Sequence, residues 1–233
     1  MPQTIRAVTF DVGGTLIEPR PSVGHIYADA AANFGGPPLD PELINRRFRA
    51  ACSAHSGPLH SARDWAELVD HVFRDLVNPP PSQSFFPQLY ERFSDAEAWL
   101  VHADVIPTLA ALHGEGIRTA VLSNWDDRLR PLLRRLGLDP FFSSMTISCE
   151  VGAAKPDPGI FRAAASALNL EPQFILHVGD DPILDLEGAR NSGLRALLIR
   201  RGQSSGVPDC IHSLLQIPDA IRSRSAPSAN GLR

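Results

Sequence analysis

Short apolar runs alternate with helix-length segments from about residue 104 to residue 199, and this alternation constrains the fold more than any other feature of the chain. Strands that alternate with helices in this way are joined by right-handed crossovers and lie parallel in one sheet. We therefore predict an α/β fold with a mainly parallel sheet. The predicted strands are 117–122, 145–148, 174–178 and 196–199, and the predicted helices are 104–113, 126–136, 159–168 and 183–191.

A further buried strand is predicted near the start of the chain, where residues 7–10 form an apolar run that ends at Asp11. Gly13 and Gly14 follow, and glycine permits a tight turn that residues with a Cβ resist. Open α/β sheets bind their ligands at the carboxyl ends of strands, so Asp11 is a candidate site residue. The plain alternative is an ordinary turn, because Asp and Gly are common turn residues.

Residues 19–102 show helical spacing and no strand alternation, which predicts an inserted bundle of helices. Ser22, Asp40 and Ser61 are predicted helix caps, and the proline-rich stretch 18–21 is predicted to be a linker. We expect the aromatic side chains of the bundle to form its core and the basic residues 45–49 to be a solvated helix face. The aromatic residues concerned are Trp65, Phe73 and Trp99.

The predicted division is therefore an α/β core of residues 1–18 and 103–222, an inserted helical domain of residues 19–102, and a disordered tail of residues 223–233, which is rich in Ser, Arg, Pro and Gly. The linkers near residues 18–21 and 100–104 are the expected hinges between the two domains.

Composition excludes several classes of partner. The 233 residues carry a net charge of −4, which gives no basic surface for nucleic acid, and no apolar run approaches the roughly 20 residues that span a bilayer. The three cysteines lack metal-ligand spacing, so we expect reduced thiols and a cytoplasmic protein. Of the 22 basic residues only Lys155 is a lysine. A compact ammonium and a planar guanidinium are not interchangeable, which makes Lys155 a site candidate.

Polar groups follow several of the predicted strands: Asp11, Ser123 with Asn124, and Asp180 with Asp185, while Lys155 lies in a loop. The carboxyl ends of parallel strands share one edge, so these groups can converge. Aspartates offer the hard oxygen ligands that suit Mg²⁺, and a lysine would neutralise both carboxylates and a bound phosphoryl group. The hydroxyl of Ser123 and nearby backbone N–H groups could bind phosphoryl oxygens.

Four motifs in this order resemble the haloacid dehalogenase-like (HAD) hydrolase superfamily, over residues 5–217. They are Asp11-Val-Gly-Gly-Thr-Leu16, Leu122-Ser-Asn124, Lys155-Pro-Asp157 and Gly179-Asp-Asp-Pro-Ile-Leu-Asp185. The segment Ser123-Asn-Trp-Asp126 is most similar to the branch named HAD-like hydrolase domain-containing proteins. The resemblance implies a Rossmann-like core, a helical cap inserted after the first motif, and hydrolysis of a small phosphorylated metabolite with Mg²⁺.

The resemblance also implies residue roles. Asp11 would be the nucleophile that forms an aspartyl-phosphate, Ser123 would bind the phosphoryl group, and Lys155 would balance charge. Mg²⁺ would be held by Asp11, Asp180 and the backbone carbonyl of Gly13, with Asp185 supporting the metal or the lysine. The expected substrate contacts are Gly14, Thr15, Asn124 and Trp125, and His25 and Tyr27 lie in a part of the cap that often faces the cleft.

The chain departs from the superfamily pattern at Gly13, where phosphatases usually carry a second aspartate that protonates the leaving group. Loss of general acid–base catalysis typically costs a factor of about 10² to 10⁴. We therefore expect a slow or selective phosphatase that favours leaving groups of low pKa, unless Asp126, His25 or another cap residue supplies the proton. The alternative is a catalytically impaired protein that keeps the fold for a binding or regulatory role.

Two related reactions fit less well. A phosphonate-cleaving enzyme would need a cap lysine for a Schiff base, and residues 19–102 contain none. A 2-haloacid dehalogenase also uses an aspartate nucleophile and a lysine, but it works without metal and typically has serine at the position of Asp180. A second aspartate there would repel a carboxylate substrate.

Overall fold

The computed structural model describes residues 4–55, 57–202 and 209–225. Residues in these ranges form two compact units by their contacts, one from residues up to 16, 101–124 and 138 onward, the other from residues 17–100 and 125–137. None of the helices in the described ranges is both long enough and apolar enough to cross a bilayer.

A six-stranded sheet forms the framework of the first unit. Its strand order is β5-β4-β1-β6-β7-β8, and neighbouring strands run parallel throughout. A separate two-stranded sheet joins β2 to β3. The strands are β1 Ala7–Phe10, β2 Ile17–Pro19, β3 Trp99–Val101, β4 Arg118–Ser123, β5 Met145–Ile147, β6 Ile175–Gly179, β7 Arg195–Ile199 and β8 Cys210–Ile211.

The α-helices of the described chain are α1 Val23–Asn33, α2 Pro41–Ala54, α3 Ala62–Val72, α4 Phe86–Arg92, α5 Val105–Gly114, α6 Leu129–Arg135, α7 Ser148–Val151, α8 Pro158–Ala167, α9 Gly188–Asn191 and α10 Ile217–Ser225. The α/β fold with a mainly parallel sheet and an inserted helical block is confirmed. One predicted helix, 183–191, is instead a π-helical turn over Pro182–Glu187 followed by α9.

The central position of β1 places the site. Phe10 pairs with Val121 of β4 on one side and with Val178 of β6 on the other. All four residues of β1 are buried, as expected for a strand at the centre of a parallel sheet. Asp11 therefore leaves the sheet between the ends of β4 and β6.

The helical unit has its own core, and its helices begin where the sequence predicts. Ser22 and Asp40 accept hydrogen bonds from the first turns of α1 and α2, and Ser61 forms a capping box with Asp64 at the start of α3. Tyr27 is buried, with its ring 5.8–5.9 Å from the rings of three phenylalanines, Phe48, Phe73 and Phe93. Trp65 and Trp99 pack against the same core, as the sequence predicts for these tryptophans.

Four further segments differ from the sequence-based prediction. The expected linker at 18–21 contains part of β2, and β8 was not expected. Contacts group residues 125–137, assigned from sequence to the α/β core, with the helical unit. Helix α10 runs to Ser225, into the segment predicted to be a disordered tail, and the rest of that segment, 226–233, lies outside the described residues.

Candidate active site

Asp11 lies at the carboxyl end of β1 and is 93% buried, counting the whole residue. Its Oδ1 accepts a hydrogen bond of 2.9 Å from the hydroxyl of Ser123, the last residue of β4, and one of 2.6 Å from Nζ of Lys155. Both hydrogen bonds that the carboxylate accepts within the described chain fall on Oδ1. The other oxygen, Oδ2, is thus left for a metal or a substrate.

Lys155 joins two of the predicted aspartates. Its ammonium is buried and donates to Oδ1 of Asp11 and, over 2.5 Å, to Oδ1 of Asp185. Burial alone would lower the pKa of Lys155, but the two carboxylates raise it above its ordinary value, so the side chain stays charged. The only lysine of the chain therefore lies at the centre of the site.

Asn124 holds the loop that carries Lys155. The Asn124 side-chain amide donates to the backbone carbonyl of Lys155 over 2.9 Å and accepts from its backbone N–H over 2.7 Å. This pairing orients the lysine toward Asp11. Any contact of the Asn124 side chain with substrate, as the sequence predicts, would use its remaining N–H.

Three carboxylates meet beside this lysine. One oxygen each from Asp11, Asp180 and Asp185 lie within 4.8 Å of one another. Hard oxygen ligands at this spacing fit a small divalent cation such as Mg²⁺, which needs few carboxylates and keeps several waters. Asp185 already accepts hydrogen bonds on both oxygens, so Asp11 and Asp180 have the more available ligand atoms.

Gly14 makes room for this cluster. Its φ of +78° is in the left-handed region, and a Cβ built on it would lie 2.4 Å from Oδ2 of Asp180. A side chain at residue 14 is therefore excluded both by the backbone conformation and by the space that Asp180 occupies.

The carboxylates divide into two electrostatic groups. Burial, followed by the negative charges of Asp11 and Asp185, raises the pKa of Asp180 to about 7. Burial also raises the pKa of Asp11, against the opposing charge of Lys155. Burial would raise the pKa of Asp185 too, but Lys155 and His177 outweigh it and hold that pKa well below its usual range. Without a cation, a proton taken up by the cluster therefore binds to the carboxyl of Asp180, while Asp185 stays ionised.

His177 is a site residue that the sequence analysis missed. It lies in β6, is completely buried, and its Nε2 is 3.0 Å from Oδ1 of Asp185. Its Nδ1 is 3.0 Å from the hydroxyl of Thr9 in β1. The available signal was a histidine inside the apolar run Ile175–Val178, two residues before Gly179.

Thr15 and Gly13 lie in the turn after Asp11. Thr15 is buried, its backbone carbonyl accepts a 2.8 Å hydrogen bond from Arg201, and its hydroxyl has no hydrogen-bond partner among the described residues. Substrate binding by Gly14 and Thr15, and metal binding by the carbonyl of Gly13, stay predictions.

The remaining candidates belong to the helical unit. The ring of Trp125 lies 5.3 Å from that of Trp99. Asp126 is fully buried, and both its carboxylate oxygens accept hydrogen bonds from the guanidinium of Arg128, over 2.9 and 2.5 Å. That pairing makes Asp126 a poor source of a catalytic proton. His25 bonds to the hydroxyl of Ser22, and its contribution to catalysis stays a prediction.

The match to a family model decides the classification. Residues 5–193 match the model described as haloacid dehalogenase-like hydrolase. The chain belongs to this family. The match covers both strands that flank β1 and all the site residues described above, so the resemblance drawn from the four motifs is confirmed.

Curated relatives agree with this classification. The HAD-like hydrolase domain-containing protein 3 of Mus musculus is 36% identical over 207 residues, which are 84% of this chain and 82% of the relative. A phosphoserine phosphatase of Thermus thermophilus is 34% identical over 175 residues, which are 75% of this chain and 59% of the relative. This HAD hydrolase is thus related in sequence to phosphatases.

Solved structures share its fold. A HAD-hydrolase of Bacillus subtilis, determined with magnesium bound, aligns with a TM-score of 0.76 at 18% identity, covering 94% of this chain and 99% of the other. At that identity the similarity establishes the fold alone.

Proposed function

We propose that this HAD hydrolase is a Mg²⁺-dependent phosphatase that hydrolyses a small phosphorylated metabolite through an aspartyl-phosphate at Asp11. The observation that carries the proposal is the arrangement of Asp11, whose Oδ1 is held by Ser123 and Lys155 while Oδ2 accepts no hydrogen bond within the described chain. The related phosphoserine phosphatase supports the choice of a phosphate ester.

In the first step, a carboxylate oxygen of Asp11 attacks phosphorus, an oxygen–phosphorus bond forms, and the bond from phosphorus to the leaving oxygen breaks. In the second step, water attacks the aspartyl-phosphate, which releases inorganic phosphate and regenerates the carboxylate. Phosphoryl transfer depends mainly on alignment and charge neutralisation. Lys155 supplies the charge, and the hydroxyl of Ser123, which donates to Oδ1 of Asp11 in this structure, would turn to donate to a phosphoryl oxygen when substrate binds.

Asp11 and Asp180 would hold the metal ion, with the Gly13 carbonyl, and Asp185 would add negative charge while it orients Lys155. When bound, Mg²⁺ neutralises the carboxylates and phosphoryl oxygens, which would otherwise repel each other. The proximity of three carboxylates and the raised pKa of Asp180 support a cation at this position.

Gly13 offers no side chain to protonate the leaving group, and Asp126 is paired with Arg128. The chemistry therefore favours substrates whose leaving groups depart without a proton, such as acyl or aryl phosphates. The acidic cluster also disfavours a 2-haloacid substrate, because its carboxylate would lie against Asp180. The departure at Gly13 supports the alternative of an impaired HAD protein with a binding or regulatory role.

The test is release of inorganic phosphate from a panel of acyl, aryl and alkyl phosphates, with and without Mg²⁺. We expect Mg²⁺-dependent release from the acyl and aryl phosphates and its loss in Asp11→Asn, which keeps the shape of the side chain. No release by folded protein shown to bind Mg²⁺ would contradict the phosphatase and favour the binding role.

A further inference from the structure

A continuous chain of hydrogen bonds connects Thr9, in β1, to Asp11, which directly follows that strand. It runs from the hydroxyl of Thr9 to His177, from His177 to Asp185, from Asp185 to Lys155, and from Lys155 to Asp11. Thr9 and His177 are register partners on adjacent strands. The chain thus begins and ends on the segment around β1.

A histidine in the centre of a parallel sheet is unfavourable unless both ring nitrogens are hydrogen-bonded, because a buried polar group without a partner costs free energy. Both nitrogens of His177 have partners, at 3.0 Å each. The ring also packs edge-on against Phe161, with 5.8 Å between ring centroids. These contacts fix the ring plane and the direction of each nitrogen.

The chemistry of the partners assigns the tautomer. An ionised carboxylate only accepts hydrogen bonds, so Nε2 of His177 carries a hydrogen and donates it to Oδ1 of Asp185. In the neutral ring, Nδ1 then accepts, and the hydroxyl of Thr9 is its donor. Asp185 therefore sets the tautomer, and the hydroxyl of Thr9 hydrogen-bonds the nitrogen that is left.

Three donors hold the Asp185 carboxylate. Oδ1 accepts from His177 and from Lys155, and Oδ2 accepts from the backbone N–H of Asp181 over 2.9 Å. The carboxylate also lies directly against Gly179, where an added Cβ would be 2.1 Å from its carbon Cγ. Without the hydrogen bond from His177, Oδ1 of Asp185 is no longer tied to β6. The carboxylate that accepts from Lys155 can then move, and the ammonium of Lys155 is less firmly oriented.

We propose that His177 is a positioning residue: its Nε2–H holds Asp185 so that Lys155 is directed at Asp11, and the hydroxyl of Thr9 hydrogen-bonds the other ring nitrogen and so helps to hold the ring in place. The inference rests on the proposed function for its catalytic meaning. Asp185 belongs to the acidic cluster, and partners that orient a carboxylate of a metal site from behind typically change metal affinity by about 10- to 100-fold when they are removed.

The experiment uses two substitutions, each of which keeps the hydrogen bond of one ring nitrogen and removes that of the other. In His177→Gln the side-chain amide nitrogen can take the place of Nε2 and keep the donor to Asp185. In His177→Asn the shorter amide takes the place of Nδ1, keeps the contact with Thr9 and loses Asp185.

The primary readout needs neither metal nor turnover. Because Lys155 is the only lysine, protein labelled with ¹⁵N-lysine has a single Nζ resonance, and ¹⁵N-histidine spectra give the tautomer of His177, identified by its absence in His177→Gln. We expect an Nε2–H ring in the unmodified protein, an Nζ resonance that is retained in His177→Gln, and one that is shifted or broadened in His177→Asn. An Nδ1–H ring, or the same Nζ resonance in both variants, overturns the proposal.

Calorimetric titration with MgCl₂ is the second readout. We expect the Kd for Mg²⁺ to rise about 10- to 100-fold in His177→Asn and to stay within about threefold in His177→Gln. Equal affinities in the two variants count against the inference. Absence of turnover in the unmodified protein would contradict the proposed phosphatase activity. It would not change the ¹⁵N-lysine and ¹⁵N-histidine spectra, which test the role of His177 separately.

Thr9→Val and Thr9→Ser keep the proposal testable if His177→Asn does not fold. Valine has the shape of threonine without its hydroxyl, and serine keeps the hydroxyl. We expect Thr9→Val to change the ¹⁵N shifts of the His177 ring and Thr9→Ser to preserve them. Unchanged ring shifts in Thr9→Val would contradict the role given to Thr9, because they would show that its hydroxyl does not hydrogen-bond the ring.

Discussion

The Cα of Gly14 lies so close to Asp180 that a methyl group on residue 14 would be 2.4 Å from Oδ2 of that carboxylate. The tight turn after Asp11 predicts a glycine at this position, and the resemblance to the HAD family predicts a substrate contact there. The structure adds a second reason, because the missing side chain is what admits Asp180 to the acidic cluster.

Gly14→Ala is therefore expected to displace Asp180 and to raise the Kd for Mg²⁺ at least about tenfold, as loss of a ligand contact does. It also places a Cβ at φ +78°, which costs of order 1–3 kcal/mol of stability. Gly116→Ala is the matched control, since Gly116 has φ +72° and no atom within 4 Å of an added Cβ. The control should lose stability and keep Mg²⁺ affinity, measured by calorimetry. Equal affinity in both variants would contradict the role given to Gly14.

Gly13→Asp should add the missing acid and change how the rate depends on the leaving group. We expect kcat for alkyl phosphates to rise by up to about 10² to 10⁴, the usual contribution of general acid–base catalysis, with little change for acyl phosphates. A plot of log kcat against leaving-group pKa should therefore become flatter. Gly13→Asn, which has the same shape but no titratable proton, should leave the slope steep. A flat slope in the unmodified protein would mean that another residue already supplies the proton.

Binding of Mg²⁺ should release a proton below neutral pH. The pKa of Asp180 is raised to about 7, so this carboxyl is largely protonated at pH 6 and largely ionised at pH 8. A cation binds the ionised form, and the affinity for Mg²⁺ should rise with pH up to about 7 and then level off. Calorimetry in buffers of different ionisation enthalpy measures the proton count directly. Proton release that is the same at pH 6 and pH 8 would contradict the assignment of Asp180.

The same raised pKa affects stability without metal. Asp180 has a higher pKa folded than its ordinary value of 3.8, so ionisation favours the unfolded chain as pH rises from about 4 to 7. Asp180→Asn should therefore increase metal-free stability at pH 8 more than at pH 4. Urea unfolding at the two pH values checks this sign.

Asp104 directly precedes α5 and lies outside the acidic cluster. Its replacement is expected to lower the stability of the fold strongly. It is buried, and its carboxylate accepts hydrogen bonds from Arg201, from the hydroxyl of Ser213 and from the backbone N–H of Leu214. Asp104→Ala leaves these donors without their acceptor, and we expect the free energy of unfolding to fall by about 3–5 kcal/mol at pH 7. Arg63→Ala, which breaks an exposed pair with Glu67, should change it by less than about 1 kcal/mol.

The effect of Asp104 should depend on pH. Burial would raise the pKa of Asp104, but the hydrogen bonds from Arg201 and Leu214 outweigh it and hold the pKa below its usual range. A depressed folded-state pKa gives stability that is present above the unfolded-state pKa, about 3.9, and is lost as pH falls through the folded-state value. The difference in unfolding free energy between the unmodified protein and Asp104→Ala should therefore shrink below pH 4. A difference that stays constant into acid would contradict this reading.

The convergence of Asp11, Ser123, Lys155 and Asp185 could be predicted from the sequence because each one ends a strand or lies in a loop or turn that follows one, and parallel strands end at a common edge. His177 could not be found in this way. In β6 every residue is buried, as is usual for a strand covered on both faces. Such a strand does not alternate between polar and apolar residues, so its sequence does not show which side chain points toward a site. Only the register between β1 and β6, which brings Thr9 beside His177, shows what the ring does.

Long-range pairing explains the other differences. Nothing near residues 17–19 indicates a strand, because its partner β3 lies some eighty residues further along the chain. Arg128 is one of the residues that join 125–137 to the helical unit: its guanidinium lies 3.5 Å from the centre of the Tyr90 ring and bonds to the backbone carbonyl of the same residue. Such contacts are set by tertiary packing and leave no local pattern.

The pairing of β2 with β3 has a consequence for how this architecture can diversify. The two strands bring together the points where the helical segment leaves and rejoins the α/β chain, and flanking hydrogen bonds join Arg20 to Ala98 and His102 to Leu16. The roughly eighty residues between β2 and β3 are therefore closed at their base, and the entropy of closing a loop grows only slowly with its length. An insertion closed at its base can change in size and sequence while the register of the central strands is kept. The helical segment can then diverge in one part of the gene while the residues of the acidic cluster are inherited unchanged in another.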